Sequence, residues 1–270
     1  SYAILAANPH NKQAWIIDLK DEENFDLYVD KTRLLEETDP YYRQIHIGQG
    51  TFLENLSIAA SNFSYKTQIK YFPQGTYSNQ TLEDKPVASI KLIKDSNVQQ
   101  DKLFDVILSR HSNKRDFENK LVSKEKIEIL HNEINKSLGK FHSLKFESNI
   151  DKLKPLRNIA INAMKIESSN NKRDLETIEM FRFNNDELKK YRDGFGLAQN
   201  GTTGVKKWML QTFFMSREQY TKDPHSFGKE GISITTKQVN SSHTFGWFTT
   251  DNNTRKDQLK IGRVYERLNL

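Results

Sequence analysis

Apolar and polar residues alternate near the start of the chain and then change period. Trp15, Ile17 and Leu19 stand two apart, and Leu27 and Val29 resume beyond the acidic turn DEEN, which predicts a strand pair. Thr38-Asp39-Pro40 is a helix-start signal, a capping residue followed by proline near the first turn. Behind it Phe52, Leu56, Ala59, Ala60 and Phe63 keep helical spacing, one buried face with small residues where something packs closely. Val87 to Leu92, after Pro86, predicts a further strand.

The rhythm restarts near Asp101. Leu103, Val106 and Ile107 predict a short amphipathic helix running into RHSNKRDF, and Ser123 caps a helix carrying Ile127, Leu130 and Ile134. Leu144 and Phe146 suggest a strand, Leu153 to Ala163 a helix, and Ile178 to Phe183 a strand. Residues 184–213 read as irregular, a lid, with four of the twelve glycines between Gly194 and Gly204. Phe245 to Thr249 is expected as a strand, and Ile261, Val264, Tyr265 and Leu268 as the apolar face of a closing helix. Helices and strands alternate in both halves, which argues helices layered on a sheet. The halves, 1–100 and 101–270, share this rhythm without a residue-level repeat.

Composition narrows the chemistry. With no cysteine in 270 residues, disulfide scaffolds, thiolate metal sites and cysteine nucleophiles are excluded. No apolar run approaches the roughly 20 residues of a membrane span. The charge, 41 − 35 = +6, is scattered rather than gathered into a basic stripe, so solubility or the attraction of a small anionic ligand is expected before a nucleic acid. No His/Asp/Glu cluster has metal-ligand spacing, and His46 is expected to be packed rather than catalytic.

Two segments are dense in functional groups. In Arg110-His111-Ser112-Asn113-Lys114-Arg115 a guanidinium fork, a hydroxyl and an ammonium stand two apart and would face one way in an extended turn. The same bases also suit a solvated helix end complementing the macrodipole. In Ala7-Asn8-Pro9-His10-Asn11-Lys12-Gln13 three amides and a histidine precede a strand. They match a ligand with an amide-like edge, and equally an ordinary turn. Trp208, Met209, Phe213, Phe214 and Met215 are expected in core or lid packing.

Taken together, RHSNK resembles the flavin-phosphate motif of the bacterial nitroreductase family, and ANPHNKQAW resembles that family's amide-rich segment, which reaches the flavin from the neighbouring subunit. Their order is reversed relative to ordinary nitroreductases. That order is similar to the Acg-type branch, where two nitroreductase-like halves are fused and imitate the usual homodimer. TDPYYRQIHIGQGTFLENLSIAA, YRDGFG and GRVYERLNL fit the same branch, so the resemblance covers nearly the whole chain. Ala14 departs from the family's proline, Asn8-Pro9 stands where proline-serine is usual, and relatives run on past the position of Leu270 into a flavin-contacting segment.

The resemblance implies an α+β, three-layer nitroreductase-like fold, a mainly antiparallel sheet flanked by helices and present twice in one chain, as a monomer with an internal pseudo-dimer. It implies one FMN per chain. Arg110 and Ser112 would hold its phosphate and ribityl chain, with His111 adding its backbone. Lys114 would lie by N1 and the C2 carbonyl of the ring, where a fixed cation favours the reduced flavin. Asn8, Pro9, His10, Asn11 and Gln13 would cover the other side, and Arg115 would adjoin the phosphate. The implied reaction passes hydride from NAD(P)H through flavin N5 to a nitroaromatic, quinone or similar acceptor, with no protein nucleophile or general base. An FMN-sequestering protein with little turnover is the alternative. The cytoplasm is the expected compartment, with twin-arginine export to the periplasm as the other possibility.

Overall fold

The computed structural model describes residues 1–138 and 142–270. In chain order the elements are β1 (Trp15–Leu19), β2 (Asn24–Val29), α1 (Arg43–Asn62), β3 (Tyr65–Tyr71), β4 (Ala88–Lys94), α2 (Lys124–Leu138), β5 (His142–Glu147), α3 (Ile150–Glu167) and α4 (Asn171–Met180). There follow β6 (Phe181–Arg182), α5 (Asn185–Tyr191), β7 (Phe195–Gly196), α6 (Gly204–Met209), α7 (Arg217–Lys222), α8 (Pro224–Ser241), β8 (Phe245–Thr250) and α9 (Arg255–Asn269). The protein is therefore mixed helix and sheet. No helix among the described residues is long and apolar enough to cross a membrane.

The chain forms two compact units that interleave along the sequence. One comprises Ser1–His111, Glu133–His142 and Thr250–Leu270, the other Ser112–Asn132 and Ser143–Thr249. The sequence reading places a single boundary near residue 100. The difference arises because the closing helix returns to pack on α1, a pairing across some 200 residues that local periodicity does not carry.

In the first unit a four-stranded sheet has the order β1-β2-β4-β3, antiparallel throughout. Trp15, Ile17 and Leu19 face Val29, Leu27 and Phe25, as their alternation predicts. Ile17 and Leu19 are nevertheless exposed, because β1 is the sheet edge. β3 was not anticipated, although its alternate residues Tyr65, Thr67, Ile69 and Tyr71 are the more buried ones. Phe25, Leu27, Ile90, Phe52 and Leu53 join the sheet's inner face to α1 in one core that also takes Leu259 of α9. Lying between the sheet and α9, α1 is buried on nearly every side, including His46, Gln49, Glu54 and Asn55, rather than on the single face expected. It starts at Arg43, later than the Thr38 signal, yet Asp39 still serves it: its carboxylate accepts from the Ile45 N–H at 2.9 Å.

Helices α1 and α9 approach closely. A Cβ on Gly50 would lie 2.0 Å from Leu259 O, and one on Gly262 2.0 Å from Ile47 O. Around this contact Glu54 takes Arg263 at 2.6 Å and Arg267 at 2.8 Å, and Arg267 also reaches Asp101 at 2.8 Å. The buried positions of α9 are Arg255, Gln258, Leu259, Gly262, Val264, Glu266 and Arg267; of the expected apolar face Val264 is fully buried, Ile261 and Leu268 are half-buried, and Tyr265 is exposed.

The second unit pairs β5 with β8, and β6 with β7 in parallel. Its described strands do not repeat the four-stranded sheet of the first unit. Phe181, surrounded by Phe183, Phe195 and Phe227, centres a small aromatic core with Ile178, Leu197 and Tyr220. Residues 178–180, expected as strand, end α4 instead, which Asn170 caps by accepting from the Lys172 N–H. The stretch 184–213 is not irregular: it holds α5, β7, α6 and most of a π-helical turn, Leu210–Phe214.

Candidate functional site

The amide-rich turn is built into the first unit from several directions. Asn8 closes it, its Oδ1 accepting from the Gln13 N–H at 2.9 Å and its Nδ2 donating to Ala6 O at 3.0 Å. From α1, Thr51 Oγ1 donates to Ala7 O and Gln49 Nε2 to Ala14 O, each at 2.6 Å. Trp15 Nε1 donates back to Gly48 O at 3.2 Å. Gly48 lets the turn lie close, since a Cβ there would be 3.4 Å from Asn8 Cβ and from Pro9 Cδ. His10, Asn11 and Gln13 have φ of +51°, +52° and +53°. Left-handed backbone costs on the order of 1–3 kcal/mol at a non-glycine residue, and it concentrates where a binding surface must be held in shape. Asn11 is exposed, and Pro9, His10 and Gln13 are half-buried.

Arg110 comes to the same turn through α9. Glu266 Oε2 accepts from the Ala7 N–H at 3.1 Å, and Glu266 Oε1 lies 3.8 Å from Arg110 Nε. Glu266 is fully buried. Burial pushes its carboxyl up to about 7, against the opposing pull of the Ala7 N–H and the Arg110 guanidinium. The Arg110 side chain is only 15 % exposed, yet its Nη2 makes no more than a 3.5 Å contact with Leu5 O. Arg110 Nε and Glu266 Oε1 are buried without a hydrogen-bond partner. A buried N–H without an acceptor costs free energy, and the Arg110 fork keeps its Nη2 at the surface, where a phosphate oxygen matches it. Such a fork suits a phosphate or carboxylate anion.

The rest of the basic turn is exposed. His111 Nδ1 lies 3.0 Å from Ser109 O. Ser112 and Lys114 are exposed on chain without regular structure, and the boundary between the units falls between His111 and Ser112. Within the first unit Glu266 thus lies between Arg110 and Ala7, at the start of the amide-rich turn, while Ser112 and Lys114 belong to the second. Arg115 Nε donates to Gly201 O at 3.2 Å, and Gly201, at φ +85°, packs against the Arg115 side chain, so Arg115 serves the glycine-rich loop.

His46 is packed, as expected. Its Nε2 meets Tyr77 Oη at 2.7 Å, and burial together with Arg255 lowers its pKa to about 3. Glu266 is the residue that sequence reasoning missed. Its signal was Gly262 four positions earlier, a small residue that marks the buried face of α9. Among the described residues no group of three or more His, Cys, Asp or Glu could hold a metal ion. In comparisons with known proteins, no protein-family model and no curated protein matches the chain.

Proposed function

We propose that this chain is an FMN-dependent oxidoreductase of nitroreductase type that binds one FMN. The observation that supports it is the Arg110 guanidinium: nearly buried, its Nε without a partner, and linked through Glu266 to the amide-rich turn. When bound, FMN supplies hydride acceptance from NAD(P)H and electron delivery to a nitroaromatic, quinone or similar acceptor.

The chain's own residues bind the group. Arg110 takes phosphate oxygens through its fork. The strained turn at His10, Asn11 and Gln13 presents polar groups at a surface whose shape α1 holds. No protein nucleophile is needed.

Equilibrium dialysis of the purified chain against FMN tests the reading. It predicts one FMN retained per chain, with the flavin absorption bands near those of a bound cofactor. Failure to retain FMN, or two FMN per chain, contradicts it.

A further inference from the structure

We propose that α6 and the π-helical turn that follows it dock the protein on the surface of an anionic phospholipid bilayer. The observation is an apolar patch turned outward in the second unit. Trp208, Phe213 and Phe214 are 59 %, 65 % and 58 % exposed, and Val205 and Met209 beside them are exposed as well. The rings form one surface: Trp208 and Phe213 are edge to face at 5.6 Å, and Phe213 and Phe214 lie at 6.4 Å. A patch of this kind on a folded chain marks a contact with another phase or molecule.

The segment is held from beneath, so its outward display is a property of the fold. Leu210 and Met215 pack on the aromatic core of Phe181, Phe183 and Tyr220. Lys207 Nζ donates to Asn185 Oδ1 at 2.8 Å. With those residues turned inward, the π-helical widening of Leu210–Phe214 leaves Phe213 and Phe214 on the solvent side.

Charge selects the occupant. Val205, Trp208 and Met209 stand at i, i+3 and i+4, with Lys206 and Lys207 between them, and no acid occurs between Asp193 and Glu218. A second copy of the chain would set these lysines against their own kind. A bilayer with anionic headgroups receives lysines at the headgroup level and tryptophan and phenylalanine just below it, the arrangement of an interfacial helix. One lysine near such a leaflet is worth about fivefold in partitioning. This inference does not depend on the flavin reading.

Co-sedimentation of the full chain with vesicles tests it, comparing phosphatidylcholine alone with phosphatidylcholine containing phosphatidylglycerol. The chain is expected to sediment with the mixed vesicles and far less with the neutral ones. Substituting Trp208→Ser, Phe213→Ser and Phe214→Ser together should reduce partitioning at least about tenfold, and Lys206→Glu alone should reduce it at least about fivefold. All four positions are exposed, and circular dichroism verifies folding. Absence of sedimentation, indifference to phosphatidylglycerol, equal binding by the triple variant, or a parent dimer that the triple variant dissolves would each overturn the proposal.

Discussion

Arg110 and Glu266 sit side by side without satisfying each other. At 3.8 Å Arg110 Nε and Glu266 Oε1 form a long ion pair without a hydrogen bond, and the Nη2 side of the guanidinium is the part that reaches the surface. Arg110→Ala should weaken FMN binding by roughly 1.5–3 kcal/mol, about 10- to 150-fold, as read by flavin fluorescence titration. Unchanged affinity would place the phosphate elsewhere. Glu266 governs a second outcome. Its ordinary carboxyl value of 4.5 is raised to about 7 by burial. Between those values the unfolded chain releases the proton and the folded chain keeps it, so stability falls as pH rises through the window. Above pH 7 the loss is complete, about 3 kcal/mol. Asp174, raised to about 6 by burial, adds a slope of the same sign. In Glu266→Gln the fall in urea-denaturation free energy between pH 5 and pH 8 should shrink by about 2–3 kcal/mol. A slope equal to the parent's would show that Glu266 ionises normally. The basic turn and the amide turn were legible because each concentrates polar groups in a few consecutive residues. Glu266 was not, because what buries it lies at the opposite end of the chain, at Ala7.

At the scale of elements, the contact between α1 and α9 organises the first unit. It brings Glu54 to Arg263 and Arg267, and it carries Glu266 to the amide-rich turn. Gly262→Ala gains helix propensity, worth up to about 1 kcal/mol, but its Cβ would meet backbone at 2.0 Å, which no rotamer change relieves. The variant should lose about 2–3 kcal/mol of stability in urea denaturation. Gly231→Ala in α8, whose Cβ would meet only the flexible end of Met164 at 3.2 Å, serves as the comparison. A neutral Gly262→Ala would mean that the helices sit further apart. Strands with clean alternation, β1, β2, β4 and β8, were readable from period alone. Of the expected strand Ile178 to Phe183, Phe181–Arg182 form β6, while Ile178 to Met180 end α4, because three residues of such a pattern fit a strand and a buried helix end equally. In α9 the expected Val264 is buried, but the buried Arg255, Gln258, Glu266 and Arg267 were not read, because hydrophobic spacing does not register polar positions held by hydrogen bonds and ion pairs.

Across the whole molecule, the mixed helix-and-sheet character followed from the alternation of periods, and the interleaved division of the chain did not. Which distant segments pair depends on side-chain fit and charge between residues hundreds of positions apart, as at Arg255, which donates to Tyr41 O and Thr81 O at 2.9 Å from the far end of the chain. The rings of Trp208, Phe213 and Phe214, expected in core or lid packing, are exposed, since composition does not say which way a helix turns its aromatic side. The central claim concerns the same whole: one chain that holds one flavin and passes electrons through it. Anaerobic mixing of the FMN-loaded protein with NADPH or NADH, followed by visible absorption, tests it most directly. The account predicts loss of the yellow colour on mixing and its return when a quinone or nitroaromatic is added; a flavin that stays yellow with both nicotinamides would contradict it.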